Sequence, residues 1–457
     1  MNTDKPHAAR LPDFPRGASL NLDFEGTAVP AFASETVAVA LLAAGHRVLS
    51  RSIKFHRPRS AFCLTGDCGA CLMRIDGQPN IRACRTPVKP GLRCERQNAW
   101  PSADVDIFAA ADLVFPHGMD HHTLLTAPRP LNQAMQRVVQ QLGGLGRLPE
   151  QAPSPAELQP GRSRHVAVAV IGGGPAGLAA ATAAAQTLAA QGEPRGQVLL
   201  IEASPAAGGS YLSDPRFGRD AAAAALTAAR AVGVELLTQA VAAGYYPEEH
   251  NPAAPAGTLG LVAVATANGL LKLSASRYIY ATGGHLQNAL FLDNDRPGVL
   301  AGRAVGMLLG GHGVLLGRRP LLVGEGDYAE ALAAALTAAG AQVERIDGSR
   351  ERLVRADGNP WVQAAVVATA EGLERHTSCD LIAIALPPAA ASELAQLHGA
   401  QVAFDPHRGF CVVTDENGRT SVPAVFSCGE VCGQPGVFAA AQHGQAVGRA
   451  AAAELWG

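Results

Sequence analysis

Four cysteines near the N-terminus are the residues whose types and spacing most directly indicate chemistry. Three lie within nine residues and the fourth follows after twelve more: Cys63, Cys68, Cys71 and Cys84. Thiolates in the order C-x4-C-x2-C…C can hold a 2Fe-2S cluster, and Gly66 and Gly69 allow a tight loop whose backbone amides face the sulfur atoms. The sequence therefore predicts that electrons pass through this protein one at a time.

A structural zinc site and disulfide bonds are the alternative uses of these cysteines. Zinc sites usually have two separated cysteine pairs rather than three cysteines crowded into one loop. Disulfides require an oxidising compartment, which nothing in the chain indicates. The cluster is therefore the favoured interpretation, and Cys94 lies outside its pattern.

A glycine-rich turn in the middle of the chain predicts a dinucleotide site. A buried strand, Val166 to Ile171, leads into Gly172-x-Gly174-x-x-Gly177 and then an Ala-rich sequence. Such glycines permit a tight turn and close approach of a pyrophosphate, and the helix N-terminus that follows supplies amides and a positive dipole. A second strand, Val198 to Ile201, ends at Glu202, whose carboxylate can take ribose hydroxyls.

Three segments resemble the FAD site of flavoproteins with two dinucleotide-binding domains. The first turn with its acid is followed by Gly208-Gly209, Ile279 to Gly284 is similar to the ATG motif of that group, and Cys428-Gly429-Glu430 stands where the group has Gly-Asp. The helix predicted from about Ala439 to Ala453 would point its N-terminus at the flavin. The resemblance implies FAD contacts by Gly172, Gly174, Pro175, Ala176, Gly177, Glu202, Ala203, Gly208, Gly209, Ser210, Ala281, Thr282, Gly283, Gly429, Glu430 and Gln442.

A second glycine-rich turn begins at Pro320 and is the candidate NAD(P) site. Its residues are Gly324, Gly326, Asp327 and Ala329, and the strand after it, Gln342 to Ile346, has Glu344 and Asp347 near its end. A GxGxxA motif alone has limited specificity. The sequence leaves open whether this domain binds a nicotinamide or only keeps the fold.

Other chemistry is disfavoured by the sequence. No CxxC lies outside the cluster loop, so reduction of disulfides by a flavin-linked dithiol is not expected. Cys411, Cys428 and Cys432 are interpreted as small buried residues rather than a second cluster or a thiol relay. His117, His121 and His122 have no carboxylate or cysteine partner at a recognisable spacing, so a metal site there is disfavoured. The sequence leaves open whether a basic run docks on an acidic surface or on flavin phosphates, or is a solvated face; its residues are Lys54, His56, Arg57 and Arg59.

Composition sets the remaining limits. The chain has 457 residues, 48% of them hydrophobic and 17% charged, with a net charge of −2, which predicts about three domains and no nucleic-acid footprint. The polar N-terminus has no signal-like apolar region, and the glycines inside the apolar run Val166 to Ala185 favour a strand-turn-helix over a membrane span. We therefore expect a cytoplasmic protein without an integral membrane segment.

The predicted fold class is α/β with an α+β N-terminal domain. Strands at Ser19 to Phe24 and Leu72 to Ile75, a helix at Val37 to Ala44 and a hairpin turn at Asp76-Gly77 make a ferredoxin-like unit. The two nucleotide turns make a two-dinucleotide-binding-domain flavoprotein, similar to glutathione and thioredoxin reductases. The predicted limits are 17–98 for the 2Fe-2S domain, 99–163 for a connector, 164–300 and 401–457 for the FAD-binding domain, and 301–400 for the NAD(P)-binding-like domain.

Nearly the whole chain resembles the α-type subunits of heteromeric sarcosine oxidase and the related opine oxidases, proline and hydroxyproline dehydrogenases and hydrogen cyanide synthase. In typical sarcosine oxidase α subunits the ferredoxin-like domain lacks cluster cysteines, and the chain here stops without their folate-handling domains, so we expect a dye- or quinone-linked dehydrogenase. The segments that carry the likeness are Arg51 to Arg59, the connector stretches Gln97 to Ser102 and Gly144 to Arg147, Glu202 to Gly209, and Asp293 to Val299.

The resemblance implies an oxidoreductase acting on CH-NH or CH-NH2 donors, as part of a heteromeric complex. A β-type flavoprotein subunit would oxidise the amino or imino acid, and this chain would carry the electrons through FAD and the 2Fe-2S cluster. A small additional subunit and a further flavin, FMN, at the subunit junction belong to the same expectation. The alternative is a stand-alone NAD(P)H-dependent ferredoxin reductase fused to its ferredoxin. No catalytic residue is identified within the chain.

Overall fold

The computed structural model describes residues 9–53, 55–114, 128–142, 160–346, 348 and 350–456. They divide into two compact units, one made of Met1–Ala152, Asn288–Ala329 and Ala333–Ala385, the other of Pro153–Gln287, Glu330–Leu332 and Leu386–Gly457. The helices are α1 Val37–Ala43, α2 Ala110–Val114, α3 Arg129–Leu142, α4 Pro175–Ala190, α5 Ser210–Ser213, α6 Gly218–Ala231, α7 Gly302–Gly306, α8 Asp327–Ala338, α9 Glu393–Leu397 and α10 Val437–Ala453.

Besides these helices, the described residues contain three short 3-10 turns and one π turn. These turns are Ala83–Arg85, Ile107–Ala109, Gly429–Cys432 and, directly after α7, the π turn Met307–Gly311. The strands are β1 Ser19–Phe24, β2 Thr27–Phe32, β3 Ser50–Arg51, β4 Pro58–Arg59, β5 Leu72–Ile75, β6 Gln78–Arg82, β7 Arg93–Glu95, β8 Arg162–Ile171, β9 Val198–Ile201, β10 Glu235–Leu237, β11 Val241–Tyr246, β12 Leu261–Thr266, β13 Gly269–Tyr280, β14 Gly284–His285, β15 Val299–Ala301, β16 Pro320–Val323, β17 Glu344–Ile346, β18 Glu351–Gly358, β19 Val362–Thr369, β20 Glu374–Ser378, β21 Leu381–Ile384, β22 Ala389–Ala390, β23 Val402–Asp405, β24 Gly409–Val412 and β25 Val425–Ser427.

The N-terminal part of the first unit is a five-stranded sheet covered by one helix. Its order is β2-β1-β7-β5-β6, with β1 and β7 parallel and the other neighbours antiparallel. All seven residues of α1 are buried, because an all-apolar helix next to a small sheet forms the core of this part. The predicted strands at Ser19 and Leu72 and the hairpin at Asp76-Gly77 are confirmed, and the helix from Val37 ends one residue earlier than predicted.

The rest of the first unit is a parallel sheet, β15-β21-β16-β17, beside an antiparallel sheet, β18-β19-β20. One apolar core joins them, with Leu321 and Ile382 from the parallel sheet and Val362 and Val367 from the antiparallel sheet among its members. Strands β15, β16 and β21 are short and wholly apolar, which is the pattern of strands covered on both faces, whereas the edge strand β17 begins with Glu344 and Arg345.

The second unit is built on a seven-stranded sheet. Strands β10, β9, β8, β13 and β25 run parallel, and β12 and β11 continue the sheet from β13 as antiparallel neighbours. Residues of β8 alternate between two cores, with Val168 and Val170 in one and Ala169 and Ile171 in the other, because successive side chains of a strand point to opposite faces.

The apolar run Val166 to Ala185 forms β8, a turn and α4, as predicted. Among the described residues, no helix is both long and apolar enough to cross a bilayer. The C-terminal helix α10 begins two residues before the predicted start. The predicted domain limits stay predictions. Two parts of the connector, 115–127 and 143–159, lie outside the described residues, and with them His117, His121, His122 and the stretch Gly144 to Arg147.

Helices α4 and α10 touch backbone to backbone. A Cβ added at Gly444 would collide with the carbonyl oxygen of Ala176, and one at Gly448 with that of Ala180. The carbonyl carbons of those alanines would stand only 2.8 Å from the added atoms. Only glycine at these two positions lets the helices approach so closely.

Substituting Gly448→Ala is expected to lower the free energy of unfolding by about 1–3 kcal/mol, the usual cost of inserting a methyl into a filled contact. The matched control is Gln445→Ala, since Gln445 is exposed on the same helix, and it should change stability by no more than about 0.5 kcal/mol. Thermal and denaturant unfolding of both variants measures the difference. Equal stability of the two variants would contradict the close helix contact.

Candidate cofactor sites

The four cysteines of the predicted cluster lie on two neighbouring segments of the N-terminal sheet domain. Three are in the loop between β4 and β5, and the fourth is in the single turn after β6. The thiols contact one another: Cys63 is hydrogen-bonded to Cys68 and to Cys84, and Cys71 to Cys84. Cys68 is exposed and the other three are buried. The folded chain therefore brings together the four sulfur donors that the spacing selected.

Contacts between the thiols shift their acidities in opposite directions. Hydrogen bonds from Cys68 and Cys84 hold the pKa of Cys63 far below its usual range, and the bond from Cys84 lowers the pKa of Cys71. The pKa values of Cys68 and Cys84 are raised, because each donates to a neighbouring thiolate. The thiolate, which is the form of cysteine that binds iron, is thus favoured at Cys63 and Cys71, and Cys68 and Cys84 donate hydrogen bonds to them.

Backbone amides point at the sulfur atoms of the loop. The Thr65 amide donates to Sγ of Cys63 at 3.4 Å, and the Cys68 amide donates to the same sulfur. The amide of Ala70 serves Cys68 in the same way. Such N–H···S bonds stabilise the negative charge of a thiolate-ligated cluster, so the donor set and its surroundings fit a 2Fe-2S group.

Cys94 is separate from this set. It lies buried on β7, and burial raises the pKa of its thiol to about 12. The groups that act on this thiol are Asp76 and Asp23 rather than the cluster cysteines, so Cys94 is not part of the sulfur set.

The first glycine-rich turn joins β8 to α4 and approaches the end of β13. Gly172 has φ +110°, and a Cβ there would collide with the carbonyl oxygen of Ala281. A Cβ at Gly177 would collide with the carbonyl oxygen of Gly172. The turn therefore brings the first glycine motif and the Ala281-Thr282-Gly283 segment together, with the N-terminus of α4 at the same place.

Glu202 closes one side of this turn. Its Oε2 accepts a hydrogen bond from the Gly173 amide at 2.8 Å and its Oε1 accepts one from the Ser204 amide at 2.6 Å. The Gly208 amide donates to the Gly173 carbonyl at 2.8 Å. Two segments thus line one rim together with the first turn: Glu202 with Ala203, and Gly208 with Gly209 and Ser210. A carboxylate at this position suits the ribose hydroxyls of a dinucleotide.

The opposite rim is formed by Gly283 and the C-terminal motif. The Thr282 hydroxyl donates to the Ala391 carbonyl at 2.6 Å, and the Ala391 amide donates to the Gly283 carbonyl at 3.0 Å. A Cβ on Gly283 would lie 4.0 Å from Oε2 of Glu430. The Glu430 carboxylate therefore lies beside the Gly283 segment.

His443 is a residue of this rim that the sequence motifs do not identify. Its Nδ1 accepts a hydrogen bond from the Gly429 amide at 3.3 Å, and burial lowers its pKa. The neutral imidazole holds the turn that carries Glu430. Its neighbour Gln442, which the resemblance selects, is exposed on α10.

The second glycine-rich turn has the geometry of a nucleotide turn but carries acidic groups. Gly324 has φ +138°, and a Cβ there would lie 2.9 Å from the carbonyl carbon of Ala385. Helix α8 begins at Asp327, directly after Gly326. Ala329 is fully buried, which allows close packing of the helix on the strand.

Two acids near this turn differ in position. Glu344 is the first residue of β17, at the end of the strand away from the turn, and its carboxylate accepts hydrogen bonds from Arg375 at 2.6 Å and Thr377 at 2.9 Å. Glu325 lies in the turn, and its carboxylate reaches Gly348, just past the end of β17. Among the described residues, the acid beside this end of β17 is therefore Glu325 rather than Glu344. Asp347 lies outside the described residues.

The basic run before the cluster loop is engaged in pairs with carboxylates. His56 contacts Asp106 at 2.8 Å, Arg57 contacts Asp112 at 2.8 Å, and Arg59 contacts Asp295 at 2.6 Å. Lys54 lies outside the described residues. These contacts hold the segment around β3 and β4 against the parts of the chain that carry Asp106, Asp112 and Asp295. The three side chains therefore have structural partners.

Three cysteines of the second unit have acidities of unreactive thiols. Burial raises the pKa of Cys432 to about 11, raises that of Cys411, and raises that of Cys428 far more. Thiols of this kind do not form the low-pKa dithiol that disulfide reductases use. Of the three cysteines interpreted as small buried residues, Cys428 is buried, whereas Cys411 and Cys432 are partly exposed.

Substituting Cys71→Ser is expected to remove the cluster, because three thiolates and a hydroxyl do not replace four thiolates. Cys94→Ser is the matched control, a second buried cysteine of the same domain, and it should retain iron and sulfide. Chemical analysis of iron and acid-labile sulfide, with the visible absorption spectrum, measures both. Loss of iron from both variants alike would contradict the assignment of ligands.

Substituting Glu202→Gln is expected to weaken FAD binding by about tenfold, since a charge-assisted hydrogen bond contributes about 1.5 kcal/mol or more. Glu193→Gln serves as the control, because Glu193 is exposed in the loop after α4. Titration of the apoprotein with FAD, followed by flavin fluorescence, gives both dissociation constants. An unchanged constant for Glu202→Gln would remove Glu202 from the site.

Comparison with known proteins identifies relatives for both parts of the chain. Residues 17–99 match the model of the 2Fe-2S iron-sulfur cluster binding domain. Sarcosine oxidase subunit alpha of Rhizobium meliloti is 30% identical over 358 residues, 73% of this chain and 35% of the relative. Hydrogen cyanide synthase subunit HcnA of Pseudomonas aeruginosa is 42% identical over 81 residues, 18% of this chain and 77% of that subunit. The aligned part is thus 35% of the length of the sarcosine oxidase subunit.

Solved structures share the fold. L-proline dehydrogenase from P. horikoshii superposes with a TM-score of 0.71 at 22% identity, covering 98% of this chain and 76% of that chain. Thioredoxin reductase of T. acidophilum gives a TM-score of 0.50 at 17% identity, covering 64% of this chain and 100% of the reductase. The predicted fold class, a ferredoxin-like domain followed by a two-dinucleotide-binding-domain flavoprotein, is confirmed. The chain therefore belongs to the family that includes the α subunit of sarcosine oxidase and the A subunit of hydrogen cyanide synthase, as a member with a 2Fe-2S domain.

Proposed function

We propose that this chain is the electron-transferring FAD and 2Fe-2S subunit of a heteromeric dehydrogenase or oxidase that oxidises the C–N bond of an amino or imino acid. The observation that carries the proposal is that one chain combines four converging thiols with a dinucleotide cradle, which consists of the first glycine-rich turn, the Glu202 segment and the opposite rim at Gly283. Among the described residues, no dithiol of low pKa lies beside this cradle. The names of the relatives, a sarcosine oxidase subunit and a hydrogen cyanide synthase subunit, supply the class of donor.

The residues of the chain divide the work of holding two cofactors. Bound FAD would supply two-electron chemistry and the cluster one-electron chemistry. Glu202 would receive the ribose hydroxyls, the N-terminus of α4 would face the pyrophosphate, and Glu430 would lie beside the segment at Gly283. Around the cluster, the amides of Thr65 and Cys68 would stabilise thiolate charge.

Substrate oxidation is assigned to a partner, a β-type flavoprotein subunit, because the sequence contains no recognisable amino-acid-binding constellation. The proposed donors are of the proline or hydroxyproline, opine, sarcosine or glycine type. A further FMN at the subunit junction and a small additional subunit are part of the same proposal. The proposed location is the cytoplasm.

The alternative function is that of an NAD(P)H-dependent reductase fused to its ferredoxin. The second turn keeps the geometry of a nucleotide site, with Gly324, Gly326, Asp327 and Ala329 as candidate NAD(P) residues. The Glu325 carboxylate near the ribose position opposes the 2′-phosphate of NADP, which other sites of this type accommodate with an arginine. A nicotinamide bound here would therefore be NAD rather than NADP.

The two functions differ in which reductant bleaches the flavin. The complex is purified under anaerobic conditions through a tag on this chain, and NADH, L-proline, hydroxyproline, sarcosine, glycine and an opine are added separately. We expect one of the amino or imino acids to reduce both centres, seen as loss of flavin absorption and as the EPR signal of a reduced cluster, while NADH leaves both oxidised. Rapid bleaching by NADH with no co-purifying flavoprotein would establish the alternative instead.

A variant of the cluster loop tests the direction of electron flow in the same complex. Cys68→Ser should leave reduction of flavin by substrate intact but abolish reduction of an added one-electron dye, because the one-electron step has lost its carrier. Cys94→Ser is the control and should behave as the unchanged complex. Full dye reduction in Cys68→Ser would show that electrons leave by another path.

A further inference from the structure

Arg85 lies directly after the cluster cysteine Cys84 and folds back onto the cluster loop. Its Nε donates to the Thr65 carbonyl at 2.7 Å, and Nη2 donates to the same oxygen. The side chain crosses Gly66, where an added Cβ would collide with Nε and would lie 3.0 Å from Cδ and Cγ. Gly66, at φ +86°, is thus fixed as glycine both by its backbone conformation and by the arginine that covers it.

The third nitrogen of this guanidinium is buried without a protein acceptor. Nη1 of Arg85 has no solvent contact and no hydrogen-bond partner among the described residues. A buried N–H without an acceptor is costly, and a guanidinium remains charged at any pH a protein experiences. The chain therefore keeps a fixed positive charge beside the loop that carries the thiols, and Nη1 of this guanidinium has no acceptor among the described residues.

The loop that Arg85 contacts carries the cluster thiols. Arg85 adjoins Cys84 in sequence, and the residue it clamps, Thr65, donates its own amide to Sγ of Cys63. Two ferric ions, two sulfides and four thiolates sum to a charge of −2, and one added electron makes it −3. A nearby cation stabilises the −3 state more than the −2 state, which raises the reduction potential.

We propose that Arg85 is a positioning and charge-compensating residue of the cluster site. The fork, meaning the two hydrogen bonds that Nε and Nη2 donate to the Thr65 carbonyl, holds the loop closed around the thiols. The charge of Arg85 raises the reduction potential of the cluster. The inference rests on the proposed cluster at Cys63, Cys68, Cys71 and Cys84 and adds a residue that is not a ligand.

Three variants separate the charge from the fork. Arg85→Gln removes the charge and should shift the midpoint potential to more negative values. Arg85→Lys keeps the charge but loses the fork, so it should retain a potential near that of the unchanged protein while holding less iron. Arg82→Gln is the control, because Arg82 is exposed and lies two residues before Cys84, and it should change neither quantity.

Iron, acid-labile sulfide and an EPR-monitored redox titration of the purified full chain measure these effects. If the unchanged protein contains no iron and sulfide, the proposed cluster itself fails. If Arg85→Gln holds a full cluster at an unchanged potential, the inference about Arg85 fails while the cluster stands. Loss of iron from both Arg85 variants but not from Arg82→Gln supports the positioning role, whereas equal loss from all three overturns it.

Discussion

The backbone contact between α4 and α10 is the constraint on which the dinucleotide cradle depends. Both helices begin at the rim of the cradle, α4 after Gly174 and α10 after Gly436. Because Gly444 and Gly448 place the carbonyls of α4 directly against α10, the distance between the two helix starts is set by main chain rather than by flexible side chains. One of these contacts, at Ala176, lies within the first glycine-rich turn itself, and the other, at Ala180, lies one turn farther along α4. Backbone packing at and beside the cradle therefore fixes its geometry.

Both cofactor sites use backbone amides to receive negative charge. In the dinucleotide turn the Gly173 amide meets the Glu202 carboxylate at 2.8 Å, and in the cluster loop the Thr65 amide meets the Cys63 sulfur. Amides in tight turns form fixed partial charges that need no counter-ion. A net charge of −2 over the whole chain is compatible with two anionic cofactors, because the compensating charge is local.

The sequence predicted the parts of these sites that depend on short spacing. Cysteines within one loop, a GxGxxG turn after a strand, and an acid at the end of the next strand are local patterns, and each residue type follows from its chemistry. The bounds of α10 were predicted to within two residues for the same reason, since helix periodicity is local.

Residues whose roles depend on contacts made only in the folded chain were not predictable from the sequence. Arg85 lies near the cluster cysteines in sequence, but its contact with Thr65 depends on the loop closing first. His443 reaches Gly429 only because α10 turns back on the strand before it. Likewise, the sequence makes Glu344 a candidate for a ribose contact, yet Arg375, 31 residues away, donates a hydrogen bond to its carboxylate. Contacts between distant residues carry no signature in a single sequence.

The partners of Arg59 and Phe62 give the second dinucleotide-like domain a role that does not require a nicotinamide. Arg59, just before the cluster loop, pairs with Asp295, 236 residues later in the chain. The Phe62 carbonyl, one residue before the first cluster cysteine, accepts a hydrogen bond from the Ala301 amide at the end of β15 at 3.0 Å. The cluster loop is therefore anchored at its entry to the edge of that domain, and both belong to the same compact unit.

Such anchoring explains why a domain with an acidic nucleotide turn keeps its parallel sheet. The sheet positions Ala301 and Asp295, and through them the entry of the loop that gathers the thiols. Loss of nicotinamide binding would leave the contacts of Ala301 and Asp295 with the loop entry unchanged, whereas loss of the sheet would remove them. The fold of the second domain therefore supports the entry of the cluster loop, whether or not its glycine-rich turn holds a ligand.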